Sequence, residues 1–209
     1  MAKRDLISVI DMKDKWAELV DLSIKLKAER GNHGAPLKDK TLAMMFEKPS
    51  TRTRISFDVA ITELGGHDLY IDVSKLQMGN GETVEDTAKV MSRFVHCIMY
   101  RAYDYKMMDK LGENATVPVI SGLDNLEHPC QALADMVTIK EKFGSFRGRK
   151  LVYLGDGNNV CNSLLYASAI LGLDMVACCP ATRMPNAEIM LNASRIADEN
   201  GSKIIAAHN

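Results

Sequence analysis

The sequence lacks most of what marks a disulfide, zinc or membrane protein. Its five cysteines (Cys97, Cys130, Cys161, Cys178 and Cys179) are an odd number. None stands in a Cys-x-x-Cys pair and no histidine lies at zinc spacing, so neither a disulfide framework nor a structural zinc site is expected. Long apolar runs are missing too: the longest, Leu164 to Leu173, is about half a membrane span. The first residues, Met-Ala-Lys-Arg-Asp-Leu-Ile-Ser-Val-Ile-Asp, reach an acid before an apolar stretch forms, which argues against a signal peptide. Neither sign of charge is in excess, with 26 Lys plus Arg against 27 Asp plus Glu and a net charge of -1. A general nucleic-acid or membrane-surface binder selects a large excess of Lys and Arg. That class is excluded, and any bound anion must be met by a local cluster. There is no internal repeat and no low-complexity segment. The expectation is a reduced, cytoplasmic protein whose cysteines pack as small residues.

What remains is ordinary globular composition: 209 residues, 46% hydrophobic and 25% charged. That length predicts one large domain, or one complete domain and part of another. Residues 12–30 carry Trp16, Leu19, Val20, Leu22, Ile24 and Leu26 near the helical period and stop at Gly31. A loop, Gly31 to Pro36, follows. Short apolar runs at 41–46, 68–73, 97–101 and 116–121 then read as strands, and 50–64, 83–95, 103–111 and 129–143 as helices. Such alternation predicts a parallel sheet covered by helices on both faces. After the Gly-rich basic bend at 143–150, strands at 150–155, 174–178 and 203–207 alternate with helices at 159–171 and 186–200. This is the start of a second doubly wound unit. The predicted fold is therefore α/β: two doubly wound parallel-sheet domains, 1–145 and 146–209, the second incomplete in this chain.

The strongest chemical signal is Phe46-Glu-Lys-Pro-Ser-Thr-Arg-Thr-Arg54, where a strand ends and a helix begins. Pro49 cannot continue the ladder and Ser50 is a good N-cap. Free backbone NH groups, hydroxyls and two guanidinium groups then converge at a positive helix terminus, an arrangement suited to a phosphate. The same residues also fit a capped helix whose arginines pair with surface carboxylates. A second signal is His128-Pro-Cys-Gln131, at a helix start beyond a strand's carboxyl end, where α/β proteins bind ligands. Its plainer reading is a capping His and a solvated Gln.

Arg101 closes the run Cys97-Ile-Met-Tyr and puts a cation at the same sheet edge, unless it is simply a surface arginine. Gly155-Asp-Gly-Asn-Asn159 begins like a dinucleotide fingerprint, but Val160 stands where the third Gly belongs, and Asp174 opens rather than closes the next strand. A nicotinamide site is improbable on those grounds. Adjacent Asn side chains at a helix start suit a polar ligand such as an α-amino-acid carboxylate, or serve only as caps.

Taken in order, Phe-Glu-Lys-Pro-Ser-Thr-Arg-Thr-Arg, Tyr-Arg, His-Pro-Cys-Gln and Gly-Asp-Gly-Asn-Asn resemble the ornithine carbamoyltransferases over essentially the whole chain. Aspartate carbamoyltransferases share the first three motifs but not the last. The resemblance implies that Ser50, Thr51, Arg52 and Thr53 hold the phosphate of carbamoyl phosphate, with Arg54 in support. It implies that Thr53, Arg101 and His128 contact the carbonyl oxygen and that Gln131 recognises the carbamoyl amide. Gln77 matches a residue that reaches a neighbouring subunit's phosphate, which implies a homo-oligomer, a trimer or a multiple. Asn159 matches a residue binding the amino-acid end of L-ornithine. The implied reaction gives L-citrulline and phosphate with no metal or organic cofactor, no nucleic acid and no membrane.

The family's Ser-Met-Gly loop and its Asp, the His-Cys-Leu-Pro segment and a late Arg do not occur here. The chain is thus expected to be the N-terminal two thirds of such an enzyme. The alternatives are a shortened relative that binds carbamoyl phosphate without turnover, an aspartate carbamoyltransferase-like enzyme, or a structural module that lost the chemistry.

Overall fold

The computed structural model describes residues 3–78 and 81–208. By internal contacts the chain divides into two compact units, Met1–Ile7 with Ala28–Asp124 and Ser8–Lys27 with Asn125–Asn209. In chain order the regular elements are α1 (Trp16–Ala28), β1 (Thr41–Phe46), α2 (Thr51–Glu63), β2 (His67–Asp72), α3 (Val84–Met91), β3 (Cys97–Arg101), α4 (Tyr105–Asn114) and β4 (Val119–Leu123). They continue with α5 (Pro129–Phe143), β5 (Lys150–Leu154), α6 (Asn159–Leu171), β6 (Asp174–Cys178), α7 (Ala187–Asn200) and β7 (Ile204–Ala207).

The first unit is built on a parallel sheet in the order β2-β1-β3-β4. β1, Thr-Leu-Ala-Met-Met-Phe, is buried over its last five residues, as a central strand covered on both faces must be. Leu42, Met44 and Phe46 pack with Ile61 of α2, whereas Ala43 and Met45 join Ile98, Tyr100, Met108 and Leu111 in the opposite cluster. Register aligns Phe46 with Arg101, so β1 and β3 end side by side. Opposite Arg101, β4 carries one extra residue, because Tyr100 pairs with Ser121 and Arg101 with Leu123. Gly122 is that residue, and a Cβ there would lie 2.6 Å from Met99 Sδ. Leu123 then takes φ 136°, a strained conformation for a branched side chain.

The second unit has the parallel order β5-β6-β7. α6 is buried from Cys161 through Ala169, which fits a helix that is apolar on most of its surface. Its residues cluster with Trp16, Val20, Ala132, Met136, Ile189 and Ala193. By contact, α1 and α5 therefore go with the second sheet, whereas the sequence reading ends the first domain at 145. Leu151 and Tyr153 face this core, while Val152, Leu154 and Ile205 on the other side of the strands are about half to four fifths exposed (53%, 79% and 49%).

Several boundaries move from those expected. The first helix starts at Trp16, after a separate 3-10 turn at Val9–Met12, and the helix expected at 83–95 stops at Met91. The strand expected at 116–121 begins only at Val119, after Pro118, which has no NH to give a ladder. β2 runs His67–Asp72, one residue earlier than expected.

Candidate functional site

In the first unit the site grows from the ends of β1 and β3. Ser50 is the N-cap of α2: its Oγ accepts from the Thr53 amide at 3.3 Å and donates to Thr53 Oγ1 at 3.0 Å. Arg101 Nη1 donates to Thr53 Oγ1 and to the Gly122 carbonyl, both at 3.2 Å. The bulge at Gly122 thus supplies a backbone acceptor that fixes the guanidinium. Burial lowers the Arg101 pKa, and its buried Nε has no hydrogen-bond partner among the described residues. Thr51 and Arg52 lie exposed on the first turn of α2. The Arg54 guanidinium stacks 4.0 Å from the Tyr70 ring centre, beside a cavity of about 370 Å³ that Pro49, Ser50, Thr51 and Ile55 also line.

Two neighbours of this cluster carry no role in the sequence reading. Glu47 accepts from the Tyr100 hydroxyl and, at 2.5 Å, from the Tyr103 amide, clamping the turn after β1 to the end of β3. Burial, and then Glu47, raise the Tyr100 pKa, so the phenol stays protonated and donates. Lys48 lies 5.2 Å from the Tyr103 ring centre. Its pKa is lowered first by burial and then by Arg101, against opposing contributions from Asp124 and Glu47. Among the described residues, Lys48, Arg52, Arg54 and Arg101 form no ion pair. The first turn of α2 also contains no acid. The reading in which the arginines serve surface carboxylates is therefore not the one realised among the described residues: four cations without an ion-pair partner stand near a helix N-terminus, a setting that favours an anion.

Gln77 is exposed in the loop after the 3-10 turn Val73–Lys75 and forms no side-chain hydrogen bond to Ser50, Thr53 or Arg101 among the described residues. Its carbonyl accepts from the Glu82 amide at 3.3 Å.

His128, Gln131 and Asn159 belong to the second unit. His128 is the N-cap of α5 at φ −142°, ψ 71°, with no side-chain capping bond, and its amide donates to Ser163 Oγ at 2.8 Å. Gln131 does not stand free: its Nε2 donates to Asp135 Oδ1 at 3.1 Å, one turn along the helix. Burial raises the Asp135 pKa, and the Gln131 bond partly offsets it. In the Gly155–Asn159 turn, Asn158 is the cap, accepting from the Val160 and Cys161 amides at 3.0 and 3.1 Å, while Asn159 opens α6. Gly157 is sterically required, because a Cβ there would meet Pro185 N at 2.2 Å. The Arg183 carbonyl accepts from the Gly157 amide at 2.8 Å, and Arg183 pairs with Asp156 at 2.6 Å.

The structure thus joins Ser50, Thr53 and Arg101 within one unit, with Thr51 and Arg52 on the same helix turn. Glu47, Lys48 and the buried Glu127 were missed by the sequence reading. The first two stand inside the quoted motif and were legible as its charged members; a glutamate in a loop reads as solvated.

Comparison with known proteins divides the chain elsewhere than the contacts do, between residues 141 and 147. Residues 4–141 match the aspartate/ornithine carbamoyltransferase carbamoyl-P binding domain, and residues 147–209 match the Asp/Orn binding domain. The catabolic ornithine carbamoyltransferase of Thermoplasma volcanium is 48% identical over 100% of this chain and 68% of its own length. The anabolic enzyme of Pyrococcus furiosus is 46% identical over 100% of this chain and 67% of its own length. A solved ornithine carbamoyltransferase from Pyrococcus furiosus superposes with a TM-score of 0.96 at 45% identity, covering 99% of this chain and 67% of that one. The chain spans about two thirds of the length of these relatives.

Proposed function

The chain belongs to the aspartate/ornithine carbamoyltransferase family, and from that premise we propose that it binds carbamoyl phosphate and serves transfer of the carbamoyl group to the δ-amine of L-ornithine, giving L-citrulline and phosphate. One observation carries the reading: among the described residues, four cations that form no ion pair, Lys48, Arg52, Arg54 and Arg101, lie at the capped start of α2 and the ends of the strands beside it. A doubly charged phosphate would offset two of these four positive charges.

In this reading Ser50, Thr51, Arg52 and Thr53 bind the phosphate. Thr53, Arg101 and His128 meet the carbonyl oxygen, and Gln131 takes the amide after releasing Asp135. The neutral δ-amine attacks the carbonyl carbon, the new C–N bond forms, the C–O bond to phosphate breaks, and the proton lost by the nitrogen ends on the departing phosphate. The donors act by stabilising charge on the carbonyl oxygen as it develops. Prior binding of carbamoyl phosphate makes the attack effectively unimolecular. Asn159 binds the amino-acid end of ornithine, and Gln77 completes the phosphate site of an adjacent protomer in a homotrimer or a multiple of it. Ornithine is favoured over aspartate by Gly155-Asp-Gly-Asn-Asn159 and by the relatives' names. The relatives include anabolic and catabolic enzymes at 46% and 48% identity, so a role in arginine biosynthesis and one in breakdown are both compatible. The five cysteines are free thiols, which suits a reducing compartment such as the cytoplasm.

A second reading, binding of carbamoyl phosphate without turnover, draws on the phosphate-side residues Ser50, Thr51, Arg52, Thr53 and Arg101 that the chain carries. Calorimetry with carbamoyl phosphate, followed by citrulline assays with ornithine and with aspartate as control, separates the two. Binding that is abolished by Arg52→Ala, with ornithine-dependent product, supports the transferase. Binding without product supports the second reading, and no binding by the folded chain removes both.

A further inference from the structure

His128 is placed unusually for a residue at a helix start. Its side chain makes no capping bond and the following Pro129 disfavours the helical region for it, while its carbonyl accepts from the Gln131 and Ala132 amides at 3.1 and 3.2 Å. Further support comes from Glu127, which is only 4% exposed. Its Oε2 accepts from the Val9 amide and from Ser163 Oγ, each at 3.1 Å, and its Oε1 accepts from Ser8 Oγ. Ser163, fully buried in α6, in turn accepts from the His128 amide at 2.8 Å. The preceding peptide is held in the same way, since Asn162 Nδ2 donates to the Leu126 carbonyl at 3.0 Å.

The two peptides that flank Glu127 are therefore each bolted to α6, and the bolt at the His128 amide is itself oriented by a carboxylate. A buried carboxylate is costly compared with an apolar side chain. Its two oxygens can, however, collect donors from separate segments, which no apolar residue can do.

We propose that Glu127 is the positioning residue of His128, acting through Ser163 to fix the peptide from which the imidazole projects. The inference rests on the reading that His128 meets the carbamoyl group, and it adds a specific device to that reading. Val9 and Ser163 both donate to Oε2, so Glu127→Gln with its oxygen in that place keeps both bonds. Its amide nitrogen then donates to Ser8 Oγ, which reverses role. Glu127→Gln is consequently the conservative exchange, while Ser163→Ala cuts the link to the His128 amide and leaves the carboxylate in place.

The test uses the full chain, isotope-labelled, in four forms: unaltered, Glu127→Gln, Glu127→Ala and Ser163→Ala. Carbamoyl-phosphate affinity is measured by calorimetry, and amide exchange and the imidazole resonances of His128 by NMR without ligand. Affinity within about twofold for Glu127→Gln and reduced about tenfold or more for Ser163→Ala is expected. Faster His128 amide exchange and a shifted or broadened imidazole resonance should accompany the second change, at similar thermal stability of the two variants. If Glu127→Ala does not fold, Ser163→Ala and Glu127→Gln carry the comparison alone. Unchanged affinity and unchanged His128 signals in Ser163→Ala would overturn the inference. Absence of carbamoyl-phosphate binding in the unaltered chain would instead remove the functional reading, and the ligand-free His128 signals would still decide whether Glu127 and Ser163 position the imidazole.

Discussion

Arg101 and Thr53, 48 residues apart in the chain, are joined by a hydrogen bond of 3.2 Å from the guanidinium Nη1 to the hydroxyl oxygen. The same oxygen accepts from Ser50 Oγ at 3.0 Å. A hydroxyl has two acceptor positions and one hydrogen. With both acceptor positions taken, the Thr53 hydrogen is directed away from Ser50 and Arg101 and is available to an anion. Thr53→Val, which keeps the shape and removes the hydrogen, is expected to weaken carbamoyl-phosphate binding by about 1.5–3 kcal/mol, roughly 10- to 150-fold, the usual worth of a hydrogen bond to a charged group. Thr53→Ser should restore it. Calorimetry on the two variants checks this, and equal affinities for valine and serine would show that the hydroxyl does not reach the ligand.

Ser50 serves the helix as well as the proposed site, and one pair of substitutions separates the two. An aspartate caps a helix as well as serine does, whereas alanine costs about 0.5–2 kcal/mol of stability. Ser50→Asp should therefore hold the Tm near its original value, and Ser50→Ala should lower it. Binding should follow a different order, because a carboxylate at the cap repels phosphate: Ser50→Asp is expected to abolish affinity and Ser50→Ala only to reduce it. Thermal melts and calorimetry on the same samples supply both orders. Retained binding in Ser50→Asp would place the anion elsewhere.

The parts of this architecture legible in the sequence are those set by local chemistry. β1 is a continuous apolar run because it is central, Ser50 follows a proline and caps a helix, and Asn158 with Asn159 opens another. What escaped depends on contacts between distant segments. α1 and α5 have the same amphipathic period whichever sheet they accompany, so only the packing of Trp16 and Ala132 with α6 assigns them. The bulge at Gly122 sits where an added Cβ would meet Met99 Sδ at 2.6 Å and Arg101 Cβ at 3.3 Å, and nothing in its own neighbours announces that. Glu127 is polar and sits in a loop, yet Ser8, Val9 and Ser163 converge on it from two other segments.

Gln77 gives a test of shared sites. It is exposed in its own protomer and makes no side-chain hydrogen bond to Ser50, Thr53 or Arg101 among the described residues, and the proposed function assigns it to the phosphate of another copy. Gln77→Ala should weaken carbamoyl-phosphate binding above the concentration at which the protein assembles and leave it unchanged below. Affinities measured across a dilution series, with sedimentation to define the assembly state, provide the check. An equal loss in monomers would place Gln77 on its own protomer's ligand.

Asp135 links the proposed amide-binding residue to pH. Burial lifts its pKa above the ordinary carboxylate value, while the bond from Gln131 pulls it partly back. A carboxyl group whose folded pKa is raised holds its proton more tightly in the native state than in the unfolded chain. Its favourable contribution is complete below the unfolded pKa and is lost as pH rises through the folded one. Above that window the ionised form is a net cost. Asp135→Asn removes the charge and keeps an oxygen to accept from Gln131 Nε2. The variant should therefore melt at a higher temperature than the unaltered chain at neutral pH, and the difference should shrink as pH falls into the acidic carboxylate range. Melting curves from acid to neutral pH test the sign directly: an advantage for asparagine that grew on acidification would mean that Asp135 is stabilised as the anion, with Gln131 rather than burial as the dominant influence.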